Sequence, residues 1–293
     1  MLEKETAPVI TDYRLFQLVL GLMETKHVNG HDIDIRTKDI SAEAVRKRIY
    51  MLSQNDLKID SDFKKNYRES NASFPRRVWK NPTKDKGNAS EIACSVDPLC
   101  YVSHLSAMQI YGITERNPKD IIITIAGRKA WKKLTTELRI SSFEKDDITV
   151  PLLHISLPNK LRNRTVHAFT TEHILHPAIT QENGISRIVP IGRCFIDMLS
   201  EPWICGGILH VLDVFSQHGK VFKNEIIEAG EKDTRPIVKV RLGYVLDEYL
   251  GYEDPRIEKW TQFAQRGGSR KLDPKRPFDG SKISKKWMLS LNE

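Results

Sequence analysis

The chain is 293 residues long, enough for about two domains with buried cores. Its 40% hydrophobic and 29% charged residues exclude a disordered chain, and no apolar run is long enough to cross a membrane. A net charge of +8 favours an anionic partner, most often nucleic acid, without specifying a fold.

The charge is uneven. Residues 1–90 carry 17 Lys and Arg against 13 Asp and Glu, residues 91–254 carry 19 against 21, and residues 255–293 carry 10 against 4. Both ends are basic and the middle is slightly acidic, so phosphate binding is expected at the ends. The opening MLEKETAPVI lacks the apolar stretch of a secretion signal. Cys94, Cys100, Cys194 and Cys205 show no C-x-x-C spacing, so reduced, buried thiols and a cytoplasmic location are expected.

In chain order, residues 11–26 read as a helix, with Leu15, Leu18, Val19 and Leu22 on one face and Thr11 or Asp12 as its cap. A polar turn follows, with a short helix around residues 36–40. Residues 42–56, AEAVRKRIYMLSQND, form the next helix: Ser41 caps it, Val45, Ile49 and Leu52 face a core, and Asn55 and Asp56 stop it. Arg46, Lys47 and Arg48 sit consecutively beside that apolar face. Helix, turn, short helix and cationic helix is the order of a helix-turn-helix. A winged version needs a hairpin, and FPRRVWKNP with SEIACSV is the expected pair, decorated by Arg76, Arg77 and Lys80. Residues 57–90 hold an extended polar insertion.

Beyond it, YVSHLSAMQIYGI reads as a helix capped by Ser103 and ended by Gly112, and KDIIITIAG as a buried strand. RKAWKKLTTEL is a helix, VPLLHISL and TVHAFTTEHI are strands, and ISRIVPIGRCFIDMLS runs from strand into helix. GGILHVLDVFSQHG and RPIVKVRLGYVLDEYLG are helices, and KKWMLSLN is a closing strand. The expected fold is α+β: a winged helix-turn-helix domain over residues 1–90, then a mixed α/β domain over 91–293 with a basic tail.

No catalytic signature emerges. The phosphate-cradling and nucleophile-elbow glycine motifs are missing. Asp32 and Asp34 in HDIDI would share one face of a strand and hold Mg²⁺, but no third carboxylate joins them, and a solvated turn is the simpler reading. His173 and His176 give H-x-x-H near His167, yet Pro177 forces extended backbone after His176. Neither a cofactor nor a metal is expected. The cationic helix has two open readings, a surface facing a duplex or a solvated face. Arg270, Lys271, Lys275 and Arg276, with Lys282, Lys285 and Lys286, make a second basic patch beside Trp287, which reads as a core anchor.

Three stretches carry a family resemblance: YVSHLSAMQIYGITERNPKDIIIT, ISRIVPIGRCFIDMLSEPWICGGILHVLDVF, and KVRLGYVLDEYLGYEDP with RKLDPKRPFDGSKISKKWMLSLN. Ser103, Ser106 and Ala107, then Arg193, Asp197, Pro202, Gly206 and Gly207, then Gly243 and Tyr244, then Leu272, Asp273, Pro274 and Trp287 follow one another in the order seen in the AbiEi antitoxins of type IV toxin–antitoxin systems. The chain resembles that family over about residues 98–290. The resemblance implies an antitoxin that represses its own operon through an N-terminal winged helix-turn-helix. It also implies that the antitoxin counters a cognate nucleotidyltransferase toxin without a stable complex. Operator DNA is the expected partner, bound by a chain that is a monomer in solution or a dimer on DNA. The competing reading is a metal-dependent nuclease or nucleotidyltransferase-like enzyme using Asp32 and Asp34; a third is a module whose acidic middle docks a protein partner.

Overall fold

The computed structural model describes residues 1–28, 30–34, 40–64, 76–142, 148, 150–175, 178–181, 184–265 and 270–293. In chain order the elements are β1 (Val9–Thr11), α1 (Asp12–Thr25), β2 (His27–Val28), β3 (His31–Asp32), α2 (Ala42–Asn55), β4 (Lys58–Ile59), β5 (Val78–Lys80), α3 (Ala89–Val96) and β6 (Tyr101–Val102). They continue as α4 (His104–Ile110), β7 (Ile121–Ala126), α5 (Arg128–Ser142), β8 (Lys160–Leu161), β9 (Arg164–Thr171), β10 (Ile179–Thr180), β11 (Arg187–Ile188) and α6 (Ile191–Ser200). The last are α7 (Ile208–His218), α8 (Lys223–Lys232), α9 (Pro236–Gly243), α10 (Pro255–Glu258), β12 (Ile283–Ser284) and β13 (Leu289–Ser290). The fold is mixed α+β. Among the described residues no helix is long and apolar enough to cross a membrane.

Two compact units divide the chain, and neither is continuous. The first comprises Met1–Tyr101 and Lys119–Arg187; the second comprises Val102–Pro118 and Ile188–Glu293. This corrects the expected boundary at 90/91, which falls inside α3. The chain leaves the first unit after Tyr101, contributes α4 to the second, and returns for β7 and α5.

In the first unit β1, β5 and β4 form an antiparallel sheet in that order, with Ile10 and Ile59 both opposite Trp79. Leu15, Phe16, Val19 and Met23 of α1 pack with Val45 and Ile49 of α2 and with Trp79 in one core. These are the i, i+4 positions that an amphipathic helix turns inward. Thr11 Oγ1 accepts the Arg14 N–H (3.2 Å), closing the start of α1. Asp12, the first residue of that helix, is buried and gathers three donors. The Arg77 backbone N–H (2.6 Å) and Nε (3.1 Å) and the Trp79 Nε1 (2.9 Å) all reach its carboxylate. Removing it leaves Arg77 and Trp79 donors without their acceptor. Asp12→Ala is therefore expected to cost about 3 kcal/mol in urea unfolding.

The structure revises the hairpin. VWK is strand β5, but its partner is β4, upstream, rather than SEIACSV. SEIACSV lies within α3. Asn88 accepts the Ser90 and Glu91 N–H groups (both 3.0 Å) while the Glu91 carboxylate accepts the Asn88 N–H (2.7 Å), a reciprocal cap that starts a helix. VPLLHISL also differs: residues 150–157 form no strand. Residues 36–39 of the short helix expected around 36–40 and the centre of the insertion at 65–75 lie outside the described residues, as does His176. Elsewhere in this unit β7 and β9 pair in parallel, from Ile121 opposite Val166 to Ala126 opposite Thr171. β8 turns back on β9 through Arg162 and Asn163, both at positive φ. The Arg162 guanidinium binds Asp60 (2.7 Å) and Asp62, tying that turn to the chain just after β4.

The second unit is mainly helical. Val102 pairs in parallel with Ile188, and α6 is buried along most of its length beside α8, where Gly192 allows the Glu225 backbone to approach. Helix α8, absent from the expectations, fills that face with Ile226 and Ile227. After α9 the chain widens into a π-helical stretch, Tyr244–Tyr249, and β12 and β13 close a hairpin that carries Trp287.

Candidate nucleic-acid interface

Ser41 Oγ accepts the Ala44 N–H (3.2 Å) and starts α2, as expected, and Asp56 ends it. Val45 and Ile49 enter the core. The opposite stripe is exposed: Glu43, Arg46, Lys47, Tyr50, Met51 and Gln54 follow i, i+3, i+4, i+7, i+8 and i+11. Tyr50 is 61% and Met51 58% exposed, large apolar surfaces flanked by two cations. A face evolved for water alone has little use for them.

Of the three consecutive cations, Arg46 and Lys47 stand on this stripe, while Arg48 is half-buried. The reason is geometric. Successive residues turn by about 100°, so three in a row span about 200° and one leaves any single face.

Strand β4 leads directly out of α2. In its register Lys58 lies opposite Lys80, both exposed. Like charges facing across a strand pair repel unless an anion lies over them. The sequence pointed to Lys80 but missed Lys58, because nothing marked residues 58–59 as the partner strand. Arg76 is exposed two residues before β5 begins. Arg77 is committed inward: besides binding Asp12 it lies 4.7 Å from the Trp79 ring centre. It braces the sheet rather than the expected outer surface of a wing.

A further cationic stripe was not singled out in the sequence. Arg128, Lys129, Lys132 and Lys133 are exposed in the first turns of α5. Cations there oppose the positive end of the helix dipole. Glu172 offsets this by accepting the Ala130 N–H (2.9 Å).

The second basic patch is internally engaged. Arg270 Nη1 donates to the Phe263 carbonyl, and Lys271 Nζ to that of Arg276 (2.7 Å). The Lys275 ammonium lies 4.2 Å over the Trp203 ring, and Arg276 lies 3.7 Å from Asp273. Lys286 bridges Asp247 and Glu258 (2.8 Å each). Arg270 and Lys271 of the expected second patch are half-buried with carbonyl partners, while Lys275 and Arg276 stay exposed.

Asp32 sits in the β2–β3 hairpin with its carboxylate 2.9 Å from His27 Nδ1. Among the described residues no group of three or more His, Cys, Asp and Glu side chains is placed to hold a metal ion. His167 pairs with Asp120 (2.9 Å).

The resemblance residues lie in the second unit. Arg193 Nε binds Asp197 (2.8 Å) and its Nη1 reaches Asp233 (3.5 Å), which also holds Arg235 (2.7 Å). Burial raises the Asp233 carboxyl, but bonds from Arg235 and the charge of Arg193 outweigh it, and the net shift is downward. A lowered folded pKa contributes stability above the ordinary carboxylate range and loses it as pH falls through the folded value. Asp233→Asn is thus expected to flatten the acid limb of stability below about pH 4 in urea midpoints.

No protein-family model matches the chain, and no curated protein matches it.

Proposed function

We propose that the chain binds DNA through the exposed stripe of α2 and the Lys58–Lys80 strand edge, as the N-terminal part of a winged helix-turn-helix. The observation that carries this reading is the stripe itself: two free-standing cations, an exposed tyrosine and an exposed glutamine on a helix anchored by its other face. A helix of 14 residues is about 21 Å long, enough to lie along a major groove, where Arg, Lys and Gln read base edges. The antiparallel order β1-β5-β4 supports a wing made by β4 and β5.

The resemblance over residues 98–290 extends the reading. The chain acts as a type IV antitoxin that represses its own operon and counters a nucleotidyltransferase toxin without a lasting complex. One such helix makes few phosphate contacts, so tight binding calls for two copies on the operator.

Fluorescence anisotropy with DNA from just upstream of the gene, against scrambled DNA, tests the reading. Arg46, Lys47, Lys58, Arg76 and Lys80 offer about five phosphate contacts, so log K should fall with log salt at a slope near −4.5 per copy. Replacing Lys58 and Lys80 by Ala should make that slope shallower by about 2 per copy, on both DNAs alike. Equal affinity for the two sequences would dismiss the repressor reading. Absence of binding at low salt would return α2 to a solvated face.

A further inference from the structure

A separate feature of the first unit is a pair of sulfurs. Cys94 lies in the last turn of α3, and Asp97 folds the chain back beneath it: Asp97 Oδ1 accepts the Leu99 (2.8 Å) and Cys100 (3.1 Å) N–H groups. The Cys100 and Cys94 sulfurs end 3.9 Å apart, with the Cys100 thiol positioned to donate to Cys94. The Arg187 backbone N–H donates to the same Cys94 sulfur (3.3 Å). The Arg187 guanidinium is locked beside both cysteines by the carbonyls of Cys94 (2.9 Å), Asp97 (2.6 Å) and Cys100 (2.9 Å).

Two donors and a nearby cation favour a thiolate at Cys94. The bond from Cys100 contributes most and, with Arg187, outweighs burial, bringing Cys94 down to about 7. Burial pushes Cys100 well up, so it stays a thiol at neutral pH. Cys94 is buried, about 3% exposed. It lines a cavity of about 310 Å³ within the first unit, alongside Val9, Arg14, Gln17, Leu138 and Ile185. Cys194 and Cys205, in the second unit, are buried too, and burial raises both well above the usual thiol value.

We propose that Cys94 and Cys100 are a reversible oxidation site, in which hydrogen peroxide entering the cavity oxidises Cys94 and Cys100 closes a disulfide. In the first step the Cys94 sulfur attacks one peroxide oxygen; an S–O bond forms, the O–O bond breaks, and hydroxide leaves with the electron pair. In the second, Cys100 gives up its proton and attacks the Cys94 sulfur; the S–S bond forms, the S–O bond breaks, and water departs. Two thiols and one peroxide become one disulfide and two waters. The sulfurs need only approach to about 2.05 Å, a movement of about 2 Å shared between two side chains.

The inference is independent of DNA binding. It is tested on the full chain by brief exposure to hydrogen peroxide, quenching, denaturation, thiol alkylation and peptide mapping. The expected result is the loss of two alkylatable thiols of the four, a linked peptide joining Cys94 to Cys100, and recovery with dithiothreitol. In Cys100→Ser the reaction should halt as a sulfenic acid at Cys94, captured by dimedone. Where that variant does not fold, the wild-type map decides alone. Four thiols still alkylatable after peroxide, or oxidation located at Cys194 or Cys205 instead, would overturn the proposal.

Discussion

Arg46→Ala combined with Lys47→Ala is expected to weaken binding to the upstream DNA by about a hundredfold or more, since each base or phosphate contact of this kind contributes about 1–3 kcal/mol. The fold should not change. Both side chains stand on the exposed stripe of α2, and neither enters the core formed by Val45 and Ile49. Surface substitutions of this sort shift stability by about 0.5 kcal/mol or less. Anisotropy and urea unfolding on the same preparation separate the two effects. Tyr50→Ala, on the same stripe, should lower affinity without altering the salt slope, because it removes contact area and no charge. Full affinity in the double variant would mean that α2 is not the helix that reads DNA.

Trp287→Ala is expected to produce the largest loss of stability in the second unit, about 3–5 kcal/mol. The indole is fully buried, and its ring lies so close to Gly243 that a Cβ there would come within 2.1 Å of it. Its Nε1 donates to Asp247 (2.9 Å), and its backbone N–H donates to Ser284 Oγ (3.0 Å). Removing the ring opens a large cavity at the junction of α9 and the closing hairpin and takes a donor from Asp247. Trp287→Phe keeps most of the volume and should cost about half as much. Gly243→Ala, which pushes a methyl into the indole, should be as harmful as the deletion. These are read as urea midpoints by circular dichroism, and an unchanged midpoint in Trp287→Ala would refute the anchoring role.

What could be read from the sequence followed the strength of local signals. The two capped helices α1 and α2, the buried strand IIITIA and the helix opened by Gly206 and Gly207 were all legible, because cap, period and terminator agreed. Trp287 was correctly read as a core residue. SEIACSV was misread because its alternation imitates a strand; the Asn88–Glu91 cap, spaced for a helix start, was the better signal and went unused. VPLLHISL carried strand-like alternation too, yet no neighbour offers it a ladder. The π-helical continuation after Gly243 had no signature at all.

At the candidate interface, Arg46 and Lys47 were legible. Exposure of Tyr50 and Met51 was not singled out, although it follows from placing Val45 and Ile49 on the core face. Lys58 needed the strand register, and the neutralisation of Arg77 by Asp12 needed a contact across 65 positions of chain. The partners of the tail cations were not legible either: Lys275 and Arg276 are exposed, but the Trp203 ring beside Lys275 and the Phe263 carbonyl held by Arg270 needed the fold.

The interleaving of the two units bears on how the molecule is made. The first unit needs β7, α5 and β9, so nothing up to Tyr101 can complete its packing until the segment ending at Arg187 has emerged from the ribosome. At about 5–20 residues per second that delay is about 4–17 seconds, during which the early helices wait unfinished. The segment Val102–Pro118 must likewise be held aside for partners translated later. A fragment cut at residue 90 therefore leaves two incomplete pieces, and nascent chains should show protease resistance rising late and together rather than in two separate stages.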